Sequence, residues 1–474
     1  MSHAPLPVKT TEERERWWRH VKDAIRGVHH DYTEGPIGRS LLLLAVPMVL
    51  ETLMESLFAV VDVFFVAKLG ADAVATVGIT ESMLYILYAI ALGLGIGATA
   101  MVARRIGERD AEGAARAAVQ AIWLGVIVAA VIGITGVTMA PAFLRWLGAP
   151  PAVVELGTTY TRIMLGGNIV IVMLYMINAI FRGAGDAAIA MRVLWFANII
   201  NMVLGPCLIF GVGPFPELGV TGAAIATTIG RGCGVIYQVT QLARRDGRIV
   251  IKREHLGLDL PVMSRVWRLS TTAMFQIMIG TTSWLGLIRI LSRYGATAIA
   301  GNTIGIRIFL FALLPSWGMA NAAATMVGQG LGAGKPDRAE RAAWLAGFYN
   351  MIFLGSIGLI FIIFTEPIIA MFTTEAAVAA YAVSCLRTVS YGFVFYGYGM
   401  VLTSAINGAG DTWTPTWINL GCFWCFELPL AFVLANYAGL GPQGVFWAAT
   451  IAFSTLAFVS AWFFSRGKWK RKVV

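Results

Sequence analysis

Apolar stretches of about twenty residues or more recur twelve times along this chain, at about 41–67, 73–101, 117–140, 158–181, 190–211, 219–241, 266–291, 298–327, 342–364, 380–405, 415–437 and 443–464. About 20 apolar residues let a helix cross the hydrocarbon core of a bilayer, where only helices and closed barrels satisfy every backbone polar group. The pattern predicts an all-α integral membrane protein with twelve transmembrane helices. Composition agrees: 58% of the 474 residues are hydrophobic and 13% charged, against about 25% charged in soluble domains. Residues 1–38 lack an apolar core segment, so no cleavable signal peptide is expected.

The net charge of +10 raises the question of nucleic acid, and its distribution answers it. With the N-terminus inside, 28 of the 36 Lys and Arg fall in or beside inner segments, three (Lys68, Arg145, Arg293) in outer loops, and five within spans. That asymmetry predicts a multi-pass protein of the cell's plasma membrane with both termini cytoplasmic, a lipid bilayer as its partner and no nucleic acid. All five cysteines lie in spans, and the Cys422–Cys425 pair sits on an apolar helix with no histidine nearby. All five histidines fall in cytoplasmic segments, so no metal site and no cofactor is expected.

The chain repeats itself at an offset of 225 residues. GAGD at 183–186 recurs at 408–411, Met101-Val102 matches Met326-Val327, Arg116-Ala117-Ala118 matches Arg341-Ala342-Ala343, Gly70 matches Gly295, and Arg162 matches Arg387. Six spans per half put both copies in one orientation, an arrangement whose substrate pathway lies at or near the repeat interface. The expected organisation is an N-terminal arm (1–38) containing an amphipathic interfacial helix, a six-helix lobe (39–242), a linker (243–265), a second six-helix lobe (266–464) and a basic tail (465–474). Trp17, Trp18, Val21, Ile25 and Val28 recur at helical spacing among Arg14, Arg16, Arg19, Lys22 and Arg26, the pattern of a helix lying on the membrane surface.

Three acids mark the first span. At 100° per residue, Glu51, Glu55 and Asp62 fall at about 0°, 40° and 20° around the axis. A carboxylate at membrane depth costs roughly 2.5–3.5 kcal/mol on insertion scales, so such residues face a partner or an aqueous path. Glu55 sits near mid-span and Asp62 roughly 12 Å from the outer end at 1.5 Å per residue. Glu81, in the second span, is expected at a depth similar to Asp62, and Arg231, deep in the sixth span, as a counter-ion to one of these acids. In the second half the deep charges are Arg289, Arg307 and Glu427, with Leu287 where the first half has Asp62. Arg307 and Glu427 are expected to pair structurally. Pro47 removes a backbone hydrogen bond from the first span and predicts a kink there. Phe58, Tyr85 and Tyr175 are candidate cavity aromatics. GQGLGAGKP (328–336) lacks the Ser or Thr and the glycine spacing of a phosphate loop.

The segments AVPMVLETLMESLFAVVDVFFVAKLG (45–70), NMVLGPCLIFG (201–211), LGVTGAAIATT (218–228) and MVGQGLGAGKPDRAERAAW (326–344) together resemble the multidrug and toxic compound extrusion (MATE) transporters. The resemblance spans about 430 positions, from Pro47 to the last span. It implies a two-lobed exporter that couples efflux to inward H+ or Na+ flow by alternating access. It also implies that Asp62 is the ion-binding acid and that Asn178 and Asn201 are polar positions of the first-lobe pocket. Two departures stand out. Many relatives read N-x-x-L-D in the fifth helix, where this chain has Gly205, so only Asn201 carries over. A second branch has a Glu in the seventh helix, where the nearby polar residue here is Gln276.

The function expected is export of small organic, often cationic compounds by a monomer, in exchange for H+ rather than Na+, with Asp62, Glu55, Glu51 and Asn201 at the ion site. A lipid-linked oligosaccharide flippase of related fold is the nearest alternative, kept open by Arg231, Arg289 and Arg307. A membrane-embedded lipid-modifying enzyme is the alternative of a different class; no catalytic set of residues supports it.

Overall fold

The computed structural model describes residues 11–28, 30–244 and 247–472, and every regular element among them is helical. The first ten residues of the expected arm and the last two of the tail lie outside the described residues. A short helix, α1 (Thr11–Arg26), precedes the first half: α2 (Ile37–Ala67), α3 (Ala71–Gly107), α4 (Ala111–Trp146), α5 (Pro151–Gly166), α6 (Asn168–Ala184), α7 (Ala187–Phe210) and α8 (Gly219–Ala243). The second half holds α9 (Leu260–Leu291), α10 (Ala296–Gly332), α11 (Pro336–Ala370), α12 (Ala376–Ser390), α13 (Phe393–Gly408), α14 (Trp413–Asn419), α15 (Leu428–Asn436) and α16 (Pro442–Ser465). Between α14 and α15 the helix continues through a π-helical stretch, Leu420–Glu427.

Among the described residues ten helical segments are long and apolar enough to cross a membrane, and eleven if α12 and α13, bent by 57°, form one span. The sequence suggested twelve. The difference is α8, a 25-residue helix whose glycines, threonines and Arg231 dilute its apolar content. Helix α9 begins six residues before the apolar run at 266. Asp259 caps it, its carboxylate accepting from the Val262 N–H at 3.2 Å, and Pro261 sits in the first turn, where its missing N–H costs nothing. Helix α2 runs unbroken through Pro47.

Helices α3 and α10 each span 37 residues, with both ends displaced by 225. Both follow a glycine in the left-handed half of backbone space, Gly70 at φ 100° and Gly295 at φ 95°, where a side chain would be strained. The contacts between halves repeat too. A Cβ on Gly93 of α3 would lie 2.7 Å from the Met274 amide nitrogen of α9, and one on Gly318 of α10 would lie 2.7 Å from that of Val49 of α2. Residues 93 and 318 differ by 225, and so do 49 and 274. Gly107 packs on the Gln329 backbone, and its counterpart Gly332 on the Arg104 carbonyl. Equivalent residues exchange places across this seam, as at a twofold axis.

The seam lies towards one face, the face that carries α1, the C-terminal segment and the basic loops. Among the described residues every hydrogen bond between the halves lies in the part of their helices nearer this basic face, including Gln329 Nε2 to the Gly183 carbonyl at 2.9 Å and Thr325 Oγ1 to that of Arg182 at 3.1 Å. The strap joining α1 to α2 is bolted to both halves. Arg338 of α11 donates to the carbonyls of Tyr32, Glu34 and Gly35 at 3.1, 2.7 and 2.7 Å, and Lys335 to that of Thr33 at 3.1 Å. From the first half, Arg248 donates to the His30 carbonyl at 2.6 Å and the Tyr32 hydroxyl to the Gly185 carbonyl at 3.1 Å. Ala24 of α1 is buried against Leu41 and Leu44 of α2, while Trp18 and Ile25 stay exposed. At the other end the basic tail folds back: Trp469 is buried, stacks on Phe464 at 4.6 Å between ring centres, and donates to its carbonyl at 2.8 Å.

Candidate functional site: a buried charge network in the first half

Four helices of the first half turn polar stripes towards one another. Helix α2 contributes Glu51, Glu55 and Asp62. Helix α6 contributes Tyr175, Asn178 and Arg182, spaced three and four apart and so on one face; α7 contributes Asn198 and α8 contributes Arg231 and Gln238.

Two clusters result. In the first, nearer the basic face, Arg182 Nη1 lies 2.8 Å from Glu51 Oε1, and Asn178 Nδ2 donates to the same oxygen at 3.1 Å. Gln238 Nε2 donates to Asn178 Oδ1 at 2.7 Å, fixing the amide that faces the acid. Glu51 Oε2 is buried with no hydrogen-bond partner among the described residues. In the second cluster Glu55 accepts from the Tyr175 hydroxyl at 2.9 Å and from Asn198 Nδ2 at 3.3 Å, and Arg231 Nη2 lies 3.3 Å from its Oε1. The Arg231 side chain is 4% exposed and that of Glu55 25%. The guanidinium lies over the rings of Phe58, Tyr88 and Tyr175, 5.6, 5.9 and 6.0 Å from their centres. Among the described residues its Nε and Nη1 have no hydrogen-bond partner, and the three aromatic rings and the Glu55 carboxylate surround the charge.

Asp62, half-buried, makes no ion pair among the described residues; Glu81 and Arg231 are its nearest charged influences. Glu81 and Tyr85 of α3 are exposed, and Arg307 of α10 lies close enough to act on Glu81 electrostatically. Asn201 donates to Thr227 Oγ1 at 2.8 Å rather than to an acid.

The expected Arg307–Glu427 bridge does not form among the described residues. Glu427 accepts from the Ser283 hydroxyl of α9 at 2.8 Å, while exposed Arg307 faces the first half. The sequence reading also missed Arg182, Asn198, Gln238 and Tyr88. Periodicity held the signal for two of them: Arg182 follows Asn178 by four residues and Asn198 precedes Asn201 by three.

The second half supplies an internal comparison. The positions equivalent to Glu51 and Arg182 are Gln276 and Asn407, and these also bond to each other, Asn407 Nδ2 donating to Gln276 Oε1 at 3.1 Å. One half holds an ion pair where the other holds its uncharged copy. Leu287, equivalent to Asp62, is buried in the apolar core of its half.

The MatE family profile matches residues 47–207 and 264–433, most of both halves. The chain belongs to the MATE family. This MATE protein is therefore a membrane transporter and not an enzyme, which removes the lipid-modifying alternative. It is 27% identical over 456 residues to a probable multidrug resistance protein NorM of Thermotoga maritima, covering 92% of this chain and 94% of that one. A FAD transporter of Shewanella oneidensis is 26% identical over 429 residues, covering 89% and 93%. Among solved structures, an outward-facing multidrug resistance MATE transporter superposes with a TM-score of 0.86 at 26% identity, covering 92% of this chain and 98% of that one. A transporter from Pyrococcus furiosus, described as having a binding pocket of reverse polarity that suggests a different function, superposes at 0.87 with 25% identity, covering 93% and 98%.

Proposed function

We propose that this MATE transporter exports small organic, often cationic compounds from the cell as a monomer, in exchange for protons moving inward, with its basic face towards the cytoplasm. The observation that carries the reading is the acid ladder of α2. Glu51 and Glu55 are held by Arg182 and Arg231, whereas Asp62 makes no ion pair among the described residues. A half-buried carboxyl with no ion-pair partner is stabilised by taking up a proton or by a cation docking beside it, and the two exclude each other. That competition is the coupling. In the outward-open state a proton is taken up at the acids of α2, Asp62 and Glu55, and the cationic cargo, no longer held by a free carboxylate, leaves. Once the halves rock to open the basic face, the proton is released to the cytoplasm. Protons are preferred over Na+ because position 205 is Gly where the sodium-binding pattern has Asp. A seam on the basic face supports an outward-open state, in which Glu81 and Tyr85 of the first half stand near Arg307 of the second.

The test uses purified protein in liposomes loaded with an organic cation such as ethidium, with efflux followed under an imposed pH gradient and, separately, a sodium gradient. Asp62→Asn should lose at least tenfold of the pH-driven flux while keeping the wild-type unfolding midpoint. Equal flux in wild type and variant, or flux driven by sodium alone, defeats the proton assignment. A second reading, a cargo bearing phosphates such as a lipid-linked oligosaccharide, is favoured by exposed Arg307 and by the FAD transporter among the relatives. Driven flux of FAD but of no organic cation in the same liposomes would establish it.

A further inference from the structure

Beneath the end of α1, on the basic face of the first half, lies a cavity of about 240 Å³ closed by α1, α7, α8 and the segment after α8. The transport network does not use it. Its lining includes Asp23 and Val28 at the end of α1, Asp186 and Arg192 at the start of α7, Arg244 at the end of α8, and Arg248. Arg248 is spoken for: its Nε lies 3.2 Å from Asp186, and it donates to the Ala184 and His30 carbonyls. Arg192 and Arg244 are exposed and make no ion pair among the described residues. Arg192 Nε donates to the Ala188 carbonyl of its own helix at 3.2 Å, and a Cβ on Gly27, just after α1, would lie 3.6 Å from its Nη2. The first turn of α7 opens into the same cavity, adding its positive dipole end.

We infer that this cavity binds the phosphate of an anionic phospholipid from the leaflet on the basic face, with Arg192 and Arg244 holding the phosphate. The lipid, rather than a soluble phosphate, is indicated by what adjoins the arginines. Arg192 begins a stripe on α7 at helical spacing, followed by Trp195, Phe196, Ile199 and Val203, which are 39, 47, 47 and 65% exposed. Five successive exposed positions on one face, four of them large and apolar, mark a surface turned to acyl chains. A chain leaving the cavity runs straight along it. Above the site α1 presents Arg19, Lys22 and Arg26 beside exposed Trp18, Ile25 and Val28, the mixture that seats a helix at the level of lipid head groups. Basic pockets between membrane helices on the cytoplasmic side bind such head groups. Asp23 sets the geometry: its carboxylate stands in the lining against the phosphate, so the pocket is tuned below the affinity that its arginines alone would give.

The experiment titrates the purified full-length protein in detergent with phosphatidylglycerol and counts retained lipids by native mass spectrometry. Arg192→Gln and Arg244→Gln should each weaken retention of the tightest lipid about fivefold, and together roughly twentyfold, whereas Asp23→Asn should strengthen it. The control is Arg265→Gln with Arg268→Gln, which removes the same charge from the exposed start of α9. Phosphatidylcholine should be retained weakly and without dependence on these residues. Equal loss in the control pair, or a weaker rather than stronger Asp23→Asn, would overturn the site. Displacement of the lipid by excess inorganic phosphate would also overturn it, by showing a pocket for soluble anions. Because the Asp23→Asn outcome is a gain, it reads the site even if an arginine variant fails to fold.

Discussion

Among the described residues Glu55 is the one acid within ion-pair distance of Arg231, whose side chain is 4% exposed and lacks hydrogen bonds at Nε and Nη1. Removing the partner of a buried charge costs about 3–5 kcal/mol, because the charge left behind is uncompensated. Glu55→Gln should therefore lower unfolding stability in detergent by about that amount, and adding Arg231→Met should recover most of it. A double variant no more stable than Glu55→Gln alone would show that the aromatic rings of Phe58, Tyr88 and Tyr175 carry the arginine without help. The ladder of acids was legible from spacing on one helix. Their partners were less so, because Arg182 and Glu51 stand 131 residues apart and the pairing depends on where α6 docks on α2. Only the packed helices fix which long side chain reaches which carboxylate, and so Arg307 turned to the first half instead of to Glu427.

Among the elements, the strap of residues 30–36 is held largely by side chains of both halves, many of them donating to its carbonyls, and His30 sits at its start, 3.1 Å from Ser40 Oγ. Burial, and then the charges of Arg39, Arg248 and Arg338 working against Asp31, hold its imidazole below the ordinary value. A released strap then binds the proton more readily than the bolted one. Anchoring is complete above about pH 6.5, the ordinary histidine value, and weakens as the pH falls below it. Hydrogen exchange at residues 31–35, corrected for intrinsic rates, should be faster at pH 5.5 than at 7.5 in the wild type and insensitive to pH in His30→Asn. Exchange unchanged with pH in the wild type would remove the strap from any response to cytoplasmic acidity. The spans themselves were readable because apolar length is a local property. The start of α9 was not, since the cap at Asp259 and Pro261 outweighs the point at which the sequence turns apolar. Nor was the break between α12 and α13, which no proline marks.

At the scale of the whole molecule the halves agree in backbone and differ in charge. The pair Glu51–Arg182 and its uncharged copy Gln276–Asn407 occupy equivalent places with similar bonds, so the fold accepts either. Arg182→Asn alone should cost about 3–5 kcal/mol by stranding a buried carboxylate. Arg182→Asn with Glu51→Gln, which installs the second half's pair, should unfold closer to the wild type while losing gradient-driven flux. Destabilisation in the double equal to the sum of the singles would mean that the two halves do not share this packing. The repeat offset announced two similar halves, but it said nothing of which residues meet between them. That needed the glycine contacts, in which Gly93 receives Met274 as Gly318 receives Val49. A seam of this kind needs no second sort of surface: two identical chains of half the length would form it by pairing with themselves. The joined chain thus has the geometry of a homodimer written as one polypeptide. In one polypeptide neither copy has to serve both roles, so one holds an acid against an arginine and the other their neutral counterweight.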